Sequence, residues 1–393
     1  MAATRAFLGI DCGTQSTKAL LMDADSGSTL AVGRAEHEIV ERSDGTREQD
    51  PRWWTDATEA AVRQALQQAG TLEVAGISVS GQQHGLVALD AAGAPVRPAK
   101  LWNDTSTARQ AAALTAAMGG EEAVLAATGN LFLVGYTAPK IAWLRDQEPE
   151  HYAASRRFCL PHDYLNLWLT GDFVTEPGDA SGTAYVDARS RQYAPSVLAA
   201  LDDTRDWQAS LPPIRESLSV IGSLREEAAG RLSLPAGIAV AGGGGDNMCA
   251  AIGVGAVEEG PVVVSLGTSG TAFTYHHVPA LDPRGEAAAF CSSTGGWLPL
   301  VCTLNCTLAT EWIRRLAGLD RAGFEKALGK SPPGARGLTF LPYLAGERTP
   351  NVPKAAATFD GLREEHDTGD LVRAVTEGVT LGLAYALRAL WRT

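Results

Sequence analysis

The chain has 393 residues, 45% of them apolar and 20% charged, with a formal net charge of -12 at pH 7. That length exceeds one compact core, so two domains are expected, and no apolar run approaches the ~20 residues of a membrane-spanning helix. The acidic excess excludes nucleic acid as a polyanionic partner, because no basic surplus exists to displace counterions, yet it leaves room for a small phosphorylated ligand.

Phe7 to Asp23 reads as two apolar strands broken at Asp11-Cys12-Gly13-Thr14-Gln15-Ser16. A tight hairpin prefers a two-residue Asn-Gly or Asp-Gly turn. This tip is longer, and its backbone N–H groups and hydroxyls suit it to wrap an anion. A third strand, residues 28–40, follows the turn at Asp25-Ser26-Gly27. Residues 50–70 read as a helix, with Pro51 near the start, apolar residues at helical spacing and Gly70 beyond the end. Val74 to Gly81 is a buried strand, and residues 84–96 read as another strand running into a turn. Helical patterns dominate from Ser106 to about Leu169, and Pro212-Pro213 marks a break. The order β, β, β, α, β predicts an α/β domain with a mixed sheet.

Near residue 237 the strand pattern restarts, and this is where the second domain is placed: 1–237 and 238–393. The strand ends in Gly242 to Gly245 and Asp246, followed by a helix of small residues. Residues 261–277 then form a second strand–tip–strand. Gly267-Thr268 and Thr271 match Gly13-Thr14 and Thr17 of the first tip, so the hairpin occurs once in each half. A single Gly-Thr turn would be read as a solvated loop. Two matching tips, each after an apolar strand, point to a polyphosphate held across a cleft between two similar domains. The copies differ at Asp11, which aligns with Ser265. Only the first side offers a carboxylate, which suits one divalent cation on that side.

Asp246 stands at a strand end, where ligands of open α/β sheets collect, and can accept a proton from a substrate hydroxyl. It can equally cap the following helix. Gln82, Gln83 and His84 stand at another strand end, and Trp102, Asn103 and Asp104 precede a helix. Amides, an imidazole and an indole fit a polyhydroxylated ligand, although Asp104 could serve only as a cap. The six cysteines, at 12, 159, 249, 291, 302 and 306, show no paired metal-ligand spacing, so reduced thiols in a cytoplasmic protein are expected. The N-terminus carries no apolar signal-peptide region.

These segments resemble the FGGY family of carbohydrate kinases, in the sugar kinase, Hsp70 and actin superfamily. "GIDCGTQSTK" resembles its first phosphate motif, with Cys12 in place of an aliphatic residue, and "SLGTSG" at 265–270 resembles the second. "GYTAPKIAWLRDQ" at 135–147, centred on Lys140 and Trp143, and "FDGLREEHDTGDLVRAVTEG" at 359–378 resemble the family's two sequence patterns. "GQQHG", "LWND", "GGGDN" and "LPYLAGERTP" resemble the members that act on a ketopentose. Glycerol-phosphorylating members carry Arg-Glu where Gln83-His84 stand.

The resemblance implies two ribonuclease H-like α/β domains with a cleft between them, and ATP-dependent phosphorylation of D-xylulose. It implies Asp246 as general base and Gln83, His84, Trp102, Asn103, Asp246 and Asn247 as sugar contacts. Phosphate contacts would come from Asp11, Gly13, Thr14, Gln15, Ser16 and Lys18, and from Gly267, Thr268 and Ser269. Mg2+ would lie near Asp11, with Asp246 as a second ligand. The partners are a small ketose and ATP, with neither nucleic acid nor membrane, and a homodimer is compatible. A ribulose or gluconate kinase is the alternative within the family, and a nucleotide-dependent assembly protein of the Hsp70 or actin type the alternative outside it. Members continue past the point matching Thr393, which reads as the interior of a helix, so the second domain is expected to be incomplete at its C-terminus.

Overall fold

The computed structural model describes residues 4–393. The chain divides into two compact units. The first runs to Val257 and takes back Phe290–Trp297, and the second comprises Glu258–Ala289 and Leu298–Thr393. The boundary expected at residue 237 therefore falls at Val257 instead. The reason is strand pairing: Ala239–Ala241 and Gly244–Gly245 both run parallel to Leu72–Gly81 in the first unit's sheet. Asp246 and Asn247 thus belong to the first unit.

The first unit is built on a seven-stranded mixed sheet. Strands β1 (Thr4–Cys12), β2 (Ser16–Asp23) and β3 (Thr29–Glu36) form an antiparallel meander. Leu72–Gly81 lies parallel to β1, and Ala239–Ala241 and Val220–Ser223 extend the sheet beyond it. Side chains alternate across the pleat. Ala6, Leu8, Ile10 and Cys12 of β1 and Ala19 and Leu21 of β2 point into the core. Burial of each large aliphatic side chain there contributes roughly 1.5–3 kcal/mol. Helix α1 (Pro51–Ala69) and the helices Pro161–Thr170 and Glu226–Leu232 supply the other side of this core, where Trp54 meets Tyr164 edge-on. Helix α1 starts as its sequence dictates: the Asp50 side chain accepts from Arg52 N, Pro51 fills the first turn, and Gly70 closes the last turn with φ 73. The opposite sheet face leaves Phe7, Leu20, Met22, Leu30, Val32 and Val220 exposed.

A small three-stranded sheet, Val40–Glu41, Arg47–Gln49 and Ala99–Lys100, braces the segment that carries Trp102 and Asn103. Lys100 is fully buried, with Nζ 2.8 Å from Asp104, 3.4 Å from Glu48 and 3.9 Å from the centre of the Trp143 ring. Asp104 also accepts from Arg47 N and from Ser106. Asp104 is therefore committed to this ion pair and to the turn after it.

The second unit holds a three-stranded antiparallel sheet, Val262–Leu266, Gly270–Thr274 and Leu300–Thr303, and a two-stranded ribbon, Thr339–Leu341 with Thr358–Asp360. Helices Thr307–Leu316, Arg321–Lys330 and Thr368–Leu390 pack around them. Asp367 and Asp370 form a capping box at the start of the last helix, and Asp370 also pairs with Arg336. That helix closes at Leu390, with Trp391 as its C-cap. Among the described residues no helix is long and apolar enough to cross a membrane.

Candidate active site

The first hairpin closes on the pair Cys12 and Thr17, so Gly13, Thr14, Gln15 and Ser16 form its tip, tied by Gly13 N to Ser16 O at 3.1 Å. The Thr14 carbonyl accepts from Gln49 Nε2 at 2.8 Å, and the Thr14 hydroxyl accepts from the Trp102 indole at 2.9 Å. The tip is thus held from below by residues far away in sequence. Asp11 is partly exposed beside it, with Oδ1 accepting from Ser80 Oγ at 3.1 Å and Oδ2 3.3 Å from Lys18 Nζ. The Asp11–Lys18 pair is open to water on both sides, so it contributes little stability and leaves the carboxylate available.

The second hairpin closes one residue tighter, on Leu266 and Gly270, with Gly267, Thr268 and Ser269 as its tip. The sequence match is therefore not a match of register. Its carbonyls are in use: Gly267 O accepts from Thr307, and Thr268 O from Cys306 N and Leu308 N, at the start of helix Thr307–Leu316. Those bonds satisfy donors that a helix start leaves open.

Asp246, Asn247 and Gln83 come together. Asp246 takes the first position of helix Asp246–Gly253, and Gly245 is the N-cap. The pure capping role is thereby excluded. Oδ1 of Asp246 accepts from Asn247 N at 2.8 Å and from Asn247 Nδ2 at 3.1 Å, and Asn247 Nδ2 also reaches Gln83 Oε1 at 2.9 Å. Asp246 keeps some exposed surface, yet the protein around it desolvates the carboxylate. Burial, with the charge of Asp11 in support, pushes its pKa up to about 6, against the hydrogen bonds from Asn247.

His84 sits one residue on, in the left-handed region with φ 64. Its ring lies 4.6 Å from that of Tyr136 and 5.6 Å from that of Phe290. Its carbonyl accepts from Thr137 Oγ1 at 3.2 Å and Lys140 Nζ at 2.6 Å, so Lys140 acts here as a prop for the backbone. Gly182 is needed below the ring, because a Cβ there would lie 2.3 Å from His84 Cε1. Asn103 lies after Trp102 on the braced segment, with its amide oxygen buried.

Four buried ionisable residues behind the site carry no signal in the sequence: His162, Asp163, Glu176 and Asp179. His162 Nε2 is 2.6 Å from Gly242 O and Nδ1 is 3.2 Å from Asp163 Oδ1. Asn166 Nδ2 stands 3.0 Å from the same Nε2 and 3.0 Å from Gly242 O, so ring, amide and carbonyl form one buried cluster. Burial works against a charged ring, but Asp163, Glu176 and the Gly242 carbonyl together outweigh it, and the His162 pKa is raised. Asp179 is held well above the usual carboxylate range by burial and by the charges of Asp163 and Glu176. Glu176 accepts from Gly178 N at 2.8 Å and Ser293 Oγ at 3.1 Å. Together these groups grip the glycine run that delivers Asp246. Gly243 has φ 73, and a Cβ on it would lie 2.1 Å from Val79 O, so only glycine fits.

Two family models match in tandem. The N-terminal domain of the FGGY family of carbohydrate kinases matches residues 6–253, and the C-terminal domain matches residues 262–393. The chain belongs to the FGGY family of carbohydrate kinases. It is 42% identical over 388 residues to a xylulose kinase of Haemophilus influenzae, covering 97% of this chain and 79% of that one. It is 44% identical over 383 residues to a xylulose kinase of Streptomyces coelicolor, covering 97% of this chain and 75% of that one. The crystal structure of a xylulose kinase from Bifidobacterium adolescentis superposes with a TM-score of 0.86 at 33% identity, covering 99% of this chain and 82% of that one. As a member of the FGGY family the chain is a sugar kinase, with ATP as co-substrate. Membership sets aside the nucleotide-dependent assembly protein as its function.

Proposed function

We propose that this FGGY kinase transfers the γ-phosphoryl group of ATP to the primary hydroxyl of D-xylulose, with Asp246 as general base. The observation that carries the reading is the placement of Asp246: partly exposed, at a strand end, bonded through Asn247 to Gln83, with a pKa lifted to about 6. A base is most effective when its pKa lies near the working pH. At neutral pH this carboxylate is mostly ionised and desolvated, so it accepts the hydroxyl proton as the oxygen attacks phosphorus in line. Gln83, His84, Trp102, Asn103 and Asn247 are the proposed sugar contacts. His84 offers an imidazole backed by Tyr136 and Phe290, and Gln83 and Asn247 offer amides whose orientation their mutual bond fixes.

Gly13, Thr14, Gln15, Ser16 and Lys18 are the proposed phosphate contacts of the first hairpin, and Gly267, Thr268 and Ser269 those of the second. Developing charge on the phosphoryl oxygens would be met by backbone N–H groups, hydroxyls and the Lys18 ammonium. Among the described residues no group of three or more His, Cys, Asp or Glu is arranged to hold a metal ion. That fits Mg2+ bound mainly through phosphate and water, which needs only one or two carboxylates. Asp11 has exposed carboxylate surface for it, and the repulsion between Asp11 and Asp246 that raises the Asp246 pKa is what a cation nearby would relieve. Mg2+ would neutralise the β- and γ-phosphate charge there.

A cytoplasmic setting and a homodimer complete the proposal. All six cysteines are free, which supports the first, and sedimentation analysis tests the second. The test of the reaction is ADP release measured across D-xylulose, D-ribulose, gluconate and glycerol. D-Xylulose should give the highest kcat/KM, and a higher value with any other acceptor overturns the substrate assignment.

A further inference from the structure

We propose that Gln49 is a positioning residue that ties the first phosphate hairpin to the strand end bearing the sugar contacts, so that each ligand strengthens binding of the other. This inference rests on the reading of those two segments given above.

Gln49 is fully buried at the end of strand Arg47–Gln49. A side-chain amide has two protons to donate and two lone pairs to accept with. All four are used. Nε2 lies 2.8 Å from Thr14 O and 2.7 Å from Glu38 O. Oε1 accepts from the Trp54 indole at 2.9 Å and from Gln82 Nε2 at 2.9 Å. The orientation is forced, because a flipped amide would set its oxygen against two carbonyls and its nitrogen against two N–H donors. His37 Nδ1 also stands 3.0 Å from Nε2, and burial lowers the His37 pKa, so a neutral ring is the one compatible with this crowding.

The bonds join the proposed site halves within one unit. On one side is Thr14, at the hairpin tip. On the other is Gln82, whose own N–H bonds Cys12 O and whose neighbour Gln83 bonds Asn247 beside Asp246. A second tie runs parallel: Trp102 donates to Thr14 Oγ1. An indole N–H can only donate, so the Thr14 hydroxyl is the acceptor and keeps its proton for another partner. Thr14 is therefore held by carbonyl and hydroxyl at once, and both holds lead to the sugar side. A shift of Gln82 or Trp102 on sugar binding must be answered at the tip, and the reverse follows by linkage.

Calorimetry on the full 393-residue chain tests this, with D-xylulose and a non-hydrolysable ATP analogue, each titrated with and without saturating amounts of the other. In the unaltered protein the ketose should tighten the analogue Kd by about fivefold or more. In Gln49→Glu both donors are lost and an oxygen faces the Thr14 and Glu38 carbonyls, while both acceptor bonds survive. The coupling factor should fall below about twofold, with the Kd for ketose alone changed less than the coupling. Gln82→Met cuts the tie on the sugar side without touching Thr14, and should also collapse the factor. It serves if Gln49→Glu does not fold. A purely structural glutamine would lower Tm and leave the coupling factor intact, which would overturn the inference. So would an unaltered protein that binds both ligands without coupling. Failure to bind D-xylulose at all overturns the substrate reading first, and this inference with it.

Discussion

Asp246→Asn should move activity and stability in opposite directions. Asparagine keeps the size of aspartate and loses the charge and the basicity. Loss of a positioned general base costs about 10²–10⁴ in rate, so kcat should fall at least about a hundredfold while the Kd of an ATP analogue barely changes. The stability effect follows from the pKa. The carboxyl rises from 3.8 to about 6 on folding, so the folded chain holds the proton more tightly than the unfolded one. The ionised group therefore opposes folding, fully above pH 6 and not at all below pH 4. A shift of about two units corresponds to roughly 3 kcal/mol. Asparagine also weakens the bonds that Asn247 makes to the carboxylate, which returns part of this, so a net gain of about 1–3 kcal/mol is expected at pH 7.5. Urea denaturation followed by tryptophan fluorescence reads it as a raised midpoint for the first unit, and the gain should vanish near pH 4. In the unaltered enzyme kcat/KM for the ketose should drop about tenfold per pH unit below pH 6, the limb set by the ligand-free carboxylate. Near-normal turnover in Asp246→Asn, or a lowered midpoint at pH 7.5, refutes the assignment of a desolvated base.

The other predictions concern the elements around that base. Asp11→Ala should raise the Mg2+ concentration for half-maximal activity and, by removing a repelling charge, shift the acidic limb of the pH profile downward; Ser265→Ala should leave the Mg2+ titration nearly unchanged, and superimposable curves for the two would count against Asp11. Gly243→Ala forces a Cβ against Val79 O at a positive φ and should cost at least about 2 kcal/mol in urea denaturation, with kcat falling as Asp246 shifts. Lys100→Met leaves Asp104 without its cation in a fully buried site and should cost about 3–5 kcal/mol, read as a lowered denaturation midpoint, whereas a loss under 1 kcal/mol would mean that the site admits water.

What the sequence made legible was local. The first hairpin, helix α1 and the strand–glycine–acid–helix passage into Asp246 each follow from contiguous residues whose periodicity, proline and glycine placement leave few alternatives. The alignment of Gly13-Thr14 with Gly267-Thr268 was also visible, but the register was not, because pairing is settled by the partner strand and by Gly270 entering the ladder. The domain boundary was misplaced for a similar reason. The break in composition near residue 237 is real, but the following strands pair back to Leu72–Gly81, a long-range contact without a local signature. Gln49, His162, Glu176 and Asp179 went unnoticed because each is an ordinary residue in its own segment. Their importance comes only from neighbours brought close by the fold. Asp104 shows the reverse case, a residue beside the proposed sugar contacts whose charge is consumed by Lys100.

The return of Phe290–Trp297 to the first unit sets an order of events during synthesis. A chain emerging from the ribosome releases Thr4 to Val257 well before this short segment, and in between it must release Glu258 to Ala289, which belong elsewhere. Until then the His84 ring lacks its Phe290 neighbour and Glu176 lacks the Ser293 hydroxyl. The nascent first unit can assemble its sheet, because that needs nothing beyond Gly245, but the finished floor of the proposed sugar site arrives late. Translation speed through residues 258–289 therefore sets the shortest time for which the first unit stands without that floor in the growing polypeptide.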